Sequence, residues 1–138
     1  MKRSLFNIYS DDIRQEVGDK LTFVGTYTNF LEVSEFPTTL PRLCLAVFCS
    51  FDREEPIKRL TIEVFLGEEK IAQTEFIPDE LPQVGKNLEG SPGVLQGNLV
   101  FSPLHLKEPC VMSLVVTADE YELRGIPLDI NLSSQTTE

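Results

Sequence analysis

Short apolar runs recur along the whole chain, broken by Gly, Pro and acidic pairs. Runs of that length, rich in β-branched and aromatic residues, predict strands rather than helices. The clearest is LTIEVFLGEEKIAQTEF, where Leu60, Ile62, Val64 and Leu66 alternate with Thr61, Glu63 and Phe65, the period of a half-buried strand. Gly67-Glu68-Glu69 then turns the chain, and the residues from Ile71 to Thr74 form the return strand. Phe65 falls on the polar side as an exception, placed to cover a sheet edge. LCLAVFCSF (Leu43 to Phe51) and CVMSLVVTA (Cys110 to Ala118) are nearly continuous apolar runs, as central strands of a sandwich are, although periodicity alone also allows a short buried helix. GVLQGNLVFSP and YELRGIPLDINL add two more strands, and Gly125 with Pro127 predicts a bulge or an edge position in the last. The sum is eight or nine strands and no long helix: an all-β, single-domain antiparallel β-sandwich over residues 1–131, for which an immunoglobulin-like topology is one arrangement that fits. Residues 77–93, with three prolines and three glycines, have no clear period. Connections that long are commonly functional or mobile, and Leu81, Val84, Lys86 and Leu88 are the candidate contact residues of this one. Residues 132–138 offer little to dock and predict a frayed tail.

The polar stretch near the N-terminus carries the densest candidate chemistry. If SLFNIYSDDIRQEV and LTFVGTY form a hairpin closed by Gly18-Asp19-Lys20, Val17 pairs with Leu21, Gln15 with Phe23, Ile13 with Gly25 and Asp11 with Tyr27. One face then gathers Val17, Leu21, Phe23 and Ile13, a core face broken only by Gln15. The other gathers Asp12, Arg14 and Glu16 beside Thr22, Val24 and Thr26. A slip of one residue would mix the two sets, so the segregation selects the three-residue loop. Arg14 between Asp12 and Glu16 reads as an exposed charge ladder, worth about 0–1 kcal/mol per pair. Asp11 falls on the core side near Tyr27, where a carboxylate accepts hydrogen bonds from backbone N–H groups or a tyrosine hydroxyl. Asp11, Asp12, Arg14, Glu16 and Tyr27 are therefore read first as a structural polar network. The competing reading is an active site on Asp11, Asp12 and Glu16, joined by His105.

DDIRQEVGDKLTFVGTY, followed by FPTTLPRLCLAV, resembles a family of small uncharacterised bacterial proteins. The resemblance rests on Asp11, Asp12, Ile13, Arg14 and Glu16, then Gly18 and Lys20, then Gly25 and Tyr27, and finally Phe36, Pro37, Leu40 and Pro41. It covers the first third of the chain clearly and the rest as strand rhythm. It implies a compact β-rich fold and brings no activity with it.

Composition narrows the partners more than the chemistry. Of 138 residues, 41% are hydrophobic and 25% charged, enough for one core without a metal or disulfide. Twenty-two acids against twelve bases leave a net charge of −10, which repels phosphate backbones, and the bases form no cluster larger than Lys2-Arg3 or Lys58-Arg59. No apolar stretch is long enough to span a bilayer and no secretory signal is read. Three cysteines, Cys44, Cys49 and Cys110, sit in apolar runs, which suits reduced thiols in a cytoplasmic protein. Cys44 and Cys49 are five residues apart on one strand and point to opposite faces, which disfavours zinc. The only histidine, His105, lies between Pro103 and Pro109 without a partner motif. Acid pairs at Asp11-Asp12, at Asp52, Glu54 and Glu55, and at Asp119-Glu120 invite calcium, but no EF-hand spacing is present. No catalytic, cofactor-binding or metal-binding residue is assigned, and no cofactor is expected. The expected role is non-enzymatic: a module that binds a protein partner or itself, through exposed sheet edges, the 77–93 loop and an acidic surface that favours a basic partner. The alternative is a metal-dependent hydrolase or a calcium-binding module using the N-terminal or loop carboxylates.

Overall fold

The computed structural model describes residues 3–77 and 88–133. Among them, twelve strands run in the order β1 (Arg3–Glu16), β2 (Lys20–Tyr27), β3 (Phe30–Val33), β4 (Thr38–Leu40), β5 (Leu43–Phe51), β6 (Leu60–Leu66), β7 (Glu69–Phe76), β8 (Gly93–Phe101), β9 (Leu104–Leu106), β10 (Cys110–Ala118), β11 (Tyr121–Arg124) and β12 (Leu128–Leu132). One sheet has the order β2-β1-β5-β8 and is antiparallel throughout. The other has the order β3-β12-β10-β6-β7, with β11 also paired to β10. A ribbon of β4 and β9 stands beside them. The protein is all-β and sandwich-like, not a closed barrel.

The core follows from alternation. On β5, Leu43, Leu45, Val47, Cys49 and Phe51 point into the sandwich and join Leu60, Ile62 and Val64 of β6 and Met112, Leu114 and Val116 of β10. Burying side chains of this size contributes roughly 1.5–3 kcal/mol each. The intervening residues of each strand therefore lie on the outer faces.

Three differences from the sequence-based expectation have physical causes. The strands number twelve among the described residues rather than eight or nine, because β3, β4 and β9 are only three or four residues long and the last predicted strand is split. Its two pieces both pair with β10: Arg124 opposes Val115 and Leu128 opposes Met112, so three residues on one side face two on the other. That is a bulge. It closes tightly, since a Cβ on Gly125 would lie 2.2 Å from the Leu114 side chain and 2.7 Å from Asn7 Oδ1. Asn7 then holds the bulge: its amide accepts from Ile126 N–H at 2.8 Å and donates to Ile126 C=O at 3.2 Å. Second, the pairing of β3 with β12 is parallel, so the fold is not purely antiparallel.

Third, the first hairpin has a different register. Ile13 opposes Phe23, Gln15 opposes Leu21 and Glu16 opposes Lys20, so the loop is Val17-Gly18-Asp19. The shift is two residues, which preserves the face of every side chain. It nevertheless overturns the expected core face. Val17 is 95% exposed, and Ile13, Leu21 and Phe23 are only half-buried. The reason is that β5 pairs with β1 only from Arg3 to Ser10. Beyond Ser10 the hairpin overhangs the sandwich, and there is no second layer for its apolar side to pack against.

Candidate functional site

The N-terminal polar residues divide into two groups by face. On the core side, the Tyr27 hydroxyl donates to Asp11 Oδ1 at 2.5 Å. Gly25 makes this possible: it has φ of +66°, and a Cβ there would sit 2.2 Å from Asp11 Oδ2. Burial, reinforced by the Asp11 carboxylate, pushes the Tyr27 hydroxyl up to about 12. On the outer side Asp12 meets two arginines, Arg42 Nη1 at 3.1 Å and Arg14 Nε at 3.6 Å. Glu16 Oε2 accepts from the Thr22 hydroxyl at 2.7 Å. The two aspartates therefore face opposite ways and do not converge on one reaction centre. Arg42 was not singled out in the sequence, because thirty residues separate it from Asp12.

The other candidate residues are similarly occupied. Asp119, at φ +56°, accepts hydrogen bonds from the backbone N–H of Lys58 at 3.1 Å and Arg59 at 3.0 Å. It also takes Arg3 Nη2 at 3.1 Å. The Arg3 side chain is only 4% exposed and stacks toward Tyr121, and its Nε and Nη1 have no partner among the described residues. Asp119 is thus the counter-ion and clasp that ties the β10–β11 turn to the segment before β6 and to the start of β1. Among the described residues no three His, Cys, Asp or Glu side chains gather in a geometry that could hold a metal ion.

His105 hydrogen-bonds the Thr39 hydroxyl at 3.0 Å across the β4–β9 ribbon. It shares an open depression with Cys110, Glu68, Glu69, Lys107 and Glu108. The Cys110 thiol is pushed up by burial and then by Glu108 and Asp129, which disfavours the thiolate a nucleophile needs. Cys49 is pushed up to about 11 by burial, and Cys44 is raised as well. Burial thus favours the neutral thiol at all three. Of the predicted contact loop, Leu81, Val84 and Lys86 lie outside the described residues, and Leu88 is 62% exposed.

The feature that sequence reasoning missed is the outer face of β1, β5 and β8. Register places Phe6 beside Phe48 and Phe48 beside Gln96, then Ile8 beside Ala46 and Ala46 beside Asn98. Ser4, Ser50 and Val94 form the row on one flank, and Ser10, Cys44 and Val100 the row on the other. Not one of these positions is charged. Phe6 is 54% and Val100 48% exposed, and the rings of Phe6 and Phe48 lie 6.0 Å apart. Within the block Ser10, Cys44 and Ala46 are buried, and Ser4, Ser50, Gln96 and Asn98 are polar, so its exposed or half-exposed apolar side chains are Phe6, Ile8, Phe48, Val94 and Val100. Exposed apolar side chains gathered on one face of a sheet are a common mark of a contact surface. Charge begins at its border, where Asp12, Arg14 and Arg42 stand at the root of the overhanging hairpin.

A family model described as a family of unknown function (DUF6941) matches residues 5–131. The chain belongs to that family. A search of curated proteins and a search of solved structures both find no match.

Proposed function

We propose that this member of the family is a non-catalytic docking module that holds another protein against the outer face of β1, β5 and β8. The observation that supports it is the charge-free block centred on Phe6 and Phe48, bordered by Asp12, Arg14 and Arg42. Interfaces have this anatomy: a core depleted of charge and enriched in aromatics, with a polar rim. The partner this surface fits has an apolar centre and a net basic surround, since a chain of net charge −10 attracts cations and repels nucleic-acid phosphates.

Two finer readings belong with it. We infer an immunoglobulin-like sandwich, supported by the strand orders β1-β5-β8 and β7-β6-β10-β11/β12 and by connections that cross between the sheets at β5–β6, β7–β8 and β8–β10. A reducing, cytoplasmic setting is supported by three unbridged cysteines, two of them buried. The described residues contain no helix long and apolar enough to cross a membrane.

Photo-cross-linking in the native cell tests the docking reading. A photoreactive residue at Phe6 is expected to give an adduct to a discrete protein that is lost on Phe6→Glu, whereas the same probe at Glu63, on the opposite sheet, gives none. Equal labelling from both positions, or none from Phe6, would sink it.

A further inference from the structure

Among the described residues five strands of the two sheets leave an edge unpaired, and four of them carry devices that block further pairing. β2 is kinked at Gly25 (φ +66°), β3 and β11 are four residues long, and β7 carries Glu69, Lys70 and Glu75 opposite a bulge at Val64/Phe65. Charges, kinks, bulges and short length are how natural sheets protect their edges. β8 has none of these. It is nine residues long, lacks charge and proline, and among the described residues pairs only with β5, over its whole length. Alternate N–H and C=O groups of β8 therefore point outward, ready for another strand.

The sequence of β8 identifies which strand. GVLQGNLVF reads nearly the same in both directions about Gly97: Val94 mirrors Val100, Leu95 mirrors Leu99, and Gln96 mirrors Asn98. An antiparallel pair of identical strands related by a twofold axis at Gly97 sets each residue opposite its mirror position. Leu95 then meets the second copy's Leu99 on the inner side, and Val94 meets the second copy's Val100 on the outer side. Gln96 and the second copy's Asn98 form an amide pair, and glycine at the axis keeps the closest approach free of side chains. Charge favours the same contact. Two copies of net charge −10 repel one another, so a self-contact belongs where both are uncharged.

We propose that the protein forms a twofold homodimer by antiparallel pairing of β8 with β8 of a second copy, joining two four-stranded sheets into one of eight. The two charge-free faces then become continuous across the joined sheet. The pairing stands on the edge of β8 and not on the docking reading.

Charge swaps test it by sedimentation equilibrium on the full chain. Val94 and Val100 are partly exposed on the outer side, so substitutions there leave the core intact, which circular dichroism verifies. The wild type is expected to dimerise, more strongly as salt screens the net repulsion. Val94→Lys/Val100→Lys and Val94→Glu/Val100→Glu are each expected to be monomeric, and their equimolar mixture to recover the dimer through two sets of Lys–Glu pairs. A wild type that stays monomeric up to its solubility limit, charge variants that still dimerise, or a mixture that stays monomeric would each overturn the pairing. Phe6→Glu separates edge from face: it removes partner cross-linking but leaves the β8 dimer intact. If Phe6→Glu dissociates the dimer, the contact is face to face and the edge pairing is wrong.

Discussion

The outer faces of the two sheets are made by the same alternation but differ in charge. On the sheet of β6, β7, β10, β11, β12 and β3, the outward positions include Glu63, Lys70, Glu75, Glu122, Arg124, Asp129 and Glu32. Lys70 reaches Glu63 at 2.6 Å, Arg59 reaches Glu75 at 3.3 Å, and Arg124 reaches Glu122 at 2.9 Å. Charge is spread across that face, although Phe30 and Val111, 53% and 43% exposed, also lie on it. The outward positions of β1, β5 and β8 that share a register carry no charge at all, in a chain in which 25% of residues are charged. Packing accounts for only part of this: Ser10, Cys44 and Ala46 are buried on this side too, but Ser4, Phe6, Asn98 and Val100 are exposed. The comparison teaches that core packing leaves part of the outer-face composition free. The proposed docking role rests on this difference in charge.

If that is correct, the surface ion pairs should be nearly dispensable and the one structural ion pair should lie elsewhere. The largest effect is expected from Asp119→Ala, which strands the buried Arg3 guanidinium and frees the N–H groups of Lys58 and Arg59. Removing one partner of a buried pair costs about 3–5 kcal/mol. The partial exposure of Asp119 places the expectation near the lower end, about 3 kcal/mol. Urea denaturation measures it. A loss no greater than that of a charge on the solvated sheet would mean that face carries more of the stability than its exposure suggests.

Phe6 sharpens the comparison from the other side. Its side chain is 54% exposed, so Phe6→Glu is expected to change unfolding free energy by about 0.5 kcal/mol or less. Its effect on partner binding should be at least tenfold, about 1.4 kcal/mol. A large stability loss with no change in cross-linking would make the uncharged block an ordinary part of the fold.

The sequence announced the strands and hid the face. Leu43–Phe51 and Cys110–Ala118 were legible because central strands buried on both sides leave unbroken apolar runs, and β5 and β10 coincide with them. Gly125 and Pro127 marked the bulge for the reason the structure shows, a backbone passage too tight for a side chain. The first register was misread because pairing was chosen to place Val17 and Leu21 together on a core face. That criterion fails where the hairpin leaves the sandwich and there is no core to choose. The charge-free block was illegible for a different reason. Phe6, Phe48 and Gln96 are far apart in the chain and become one row only through the pairing of β1 with β5 and β5 with β8. Periodicity assigns each residue a face, but not its neighbours on that face.

A smaller effect is expected on the solvated sheet itself. Lys70 is 41% exposed and Glu63 25%, so Lys70→Ala is expected to cost about 0–1 kcal/mol, shrinking further in high salt. Denaturant melts at low and high ionic strength measure it. A cost that survives high salt would show a pair held by more than its charges.

The smallest change at neutral pH is expected at the Asp11–Tyr27 pair, where the hairpin leaves the sandwich, and it is read by titration. Tyr27 stands at about 12 in the folded chain against 10.0 for a free tyrosine, chiefly through burial and then through the Asp11 hydrogen bond and charge. A raised value means that the native state favours the neutral phenol. Its contribution is therefore complete below pH 10 and is lost as pH climbs from 10 toward 12. Asp11→Asn removes the negative charge but leaves a carbonyl oxygen to accept the hydroxyl proton. It should lower the Tyr27 titration in ultraviolet absorbance, leaving the part due to burial, and barely alter melting at pH 7. Cys49, held at about 11 against 9.0, loses its own contribution between those values, so the wild-type melting temperature should already decline above pH 9. A Tyr27 titration unmoved by Asp11→Asn would mean that burial alone sets it, and that the overhang is more deeply covered than its exposed neighbours Val24 and Thr26 indicate.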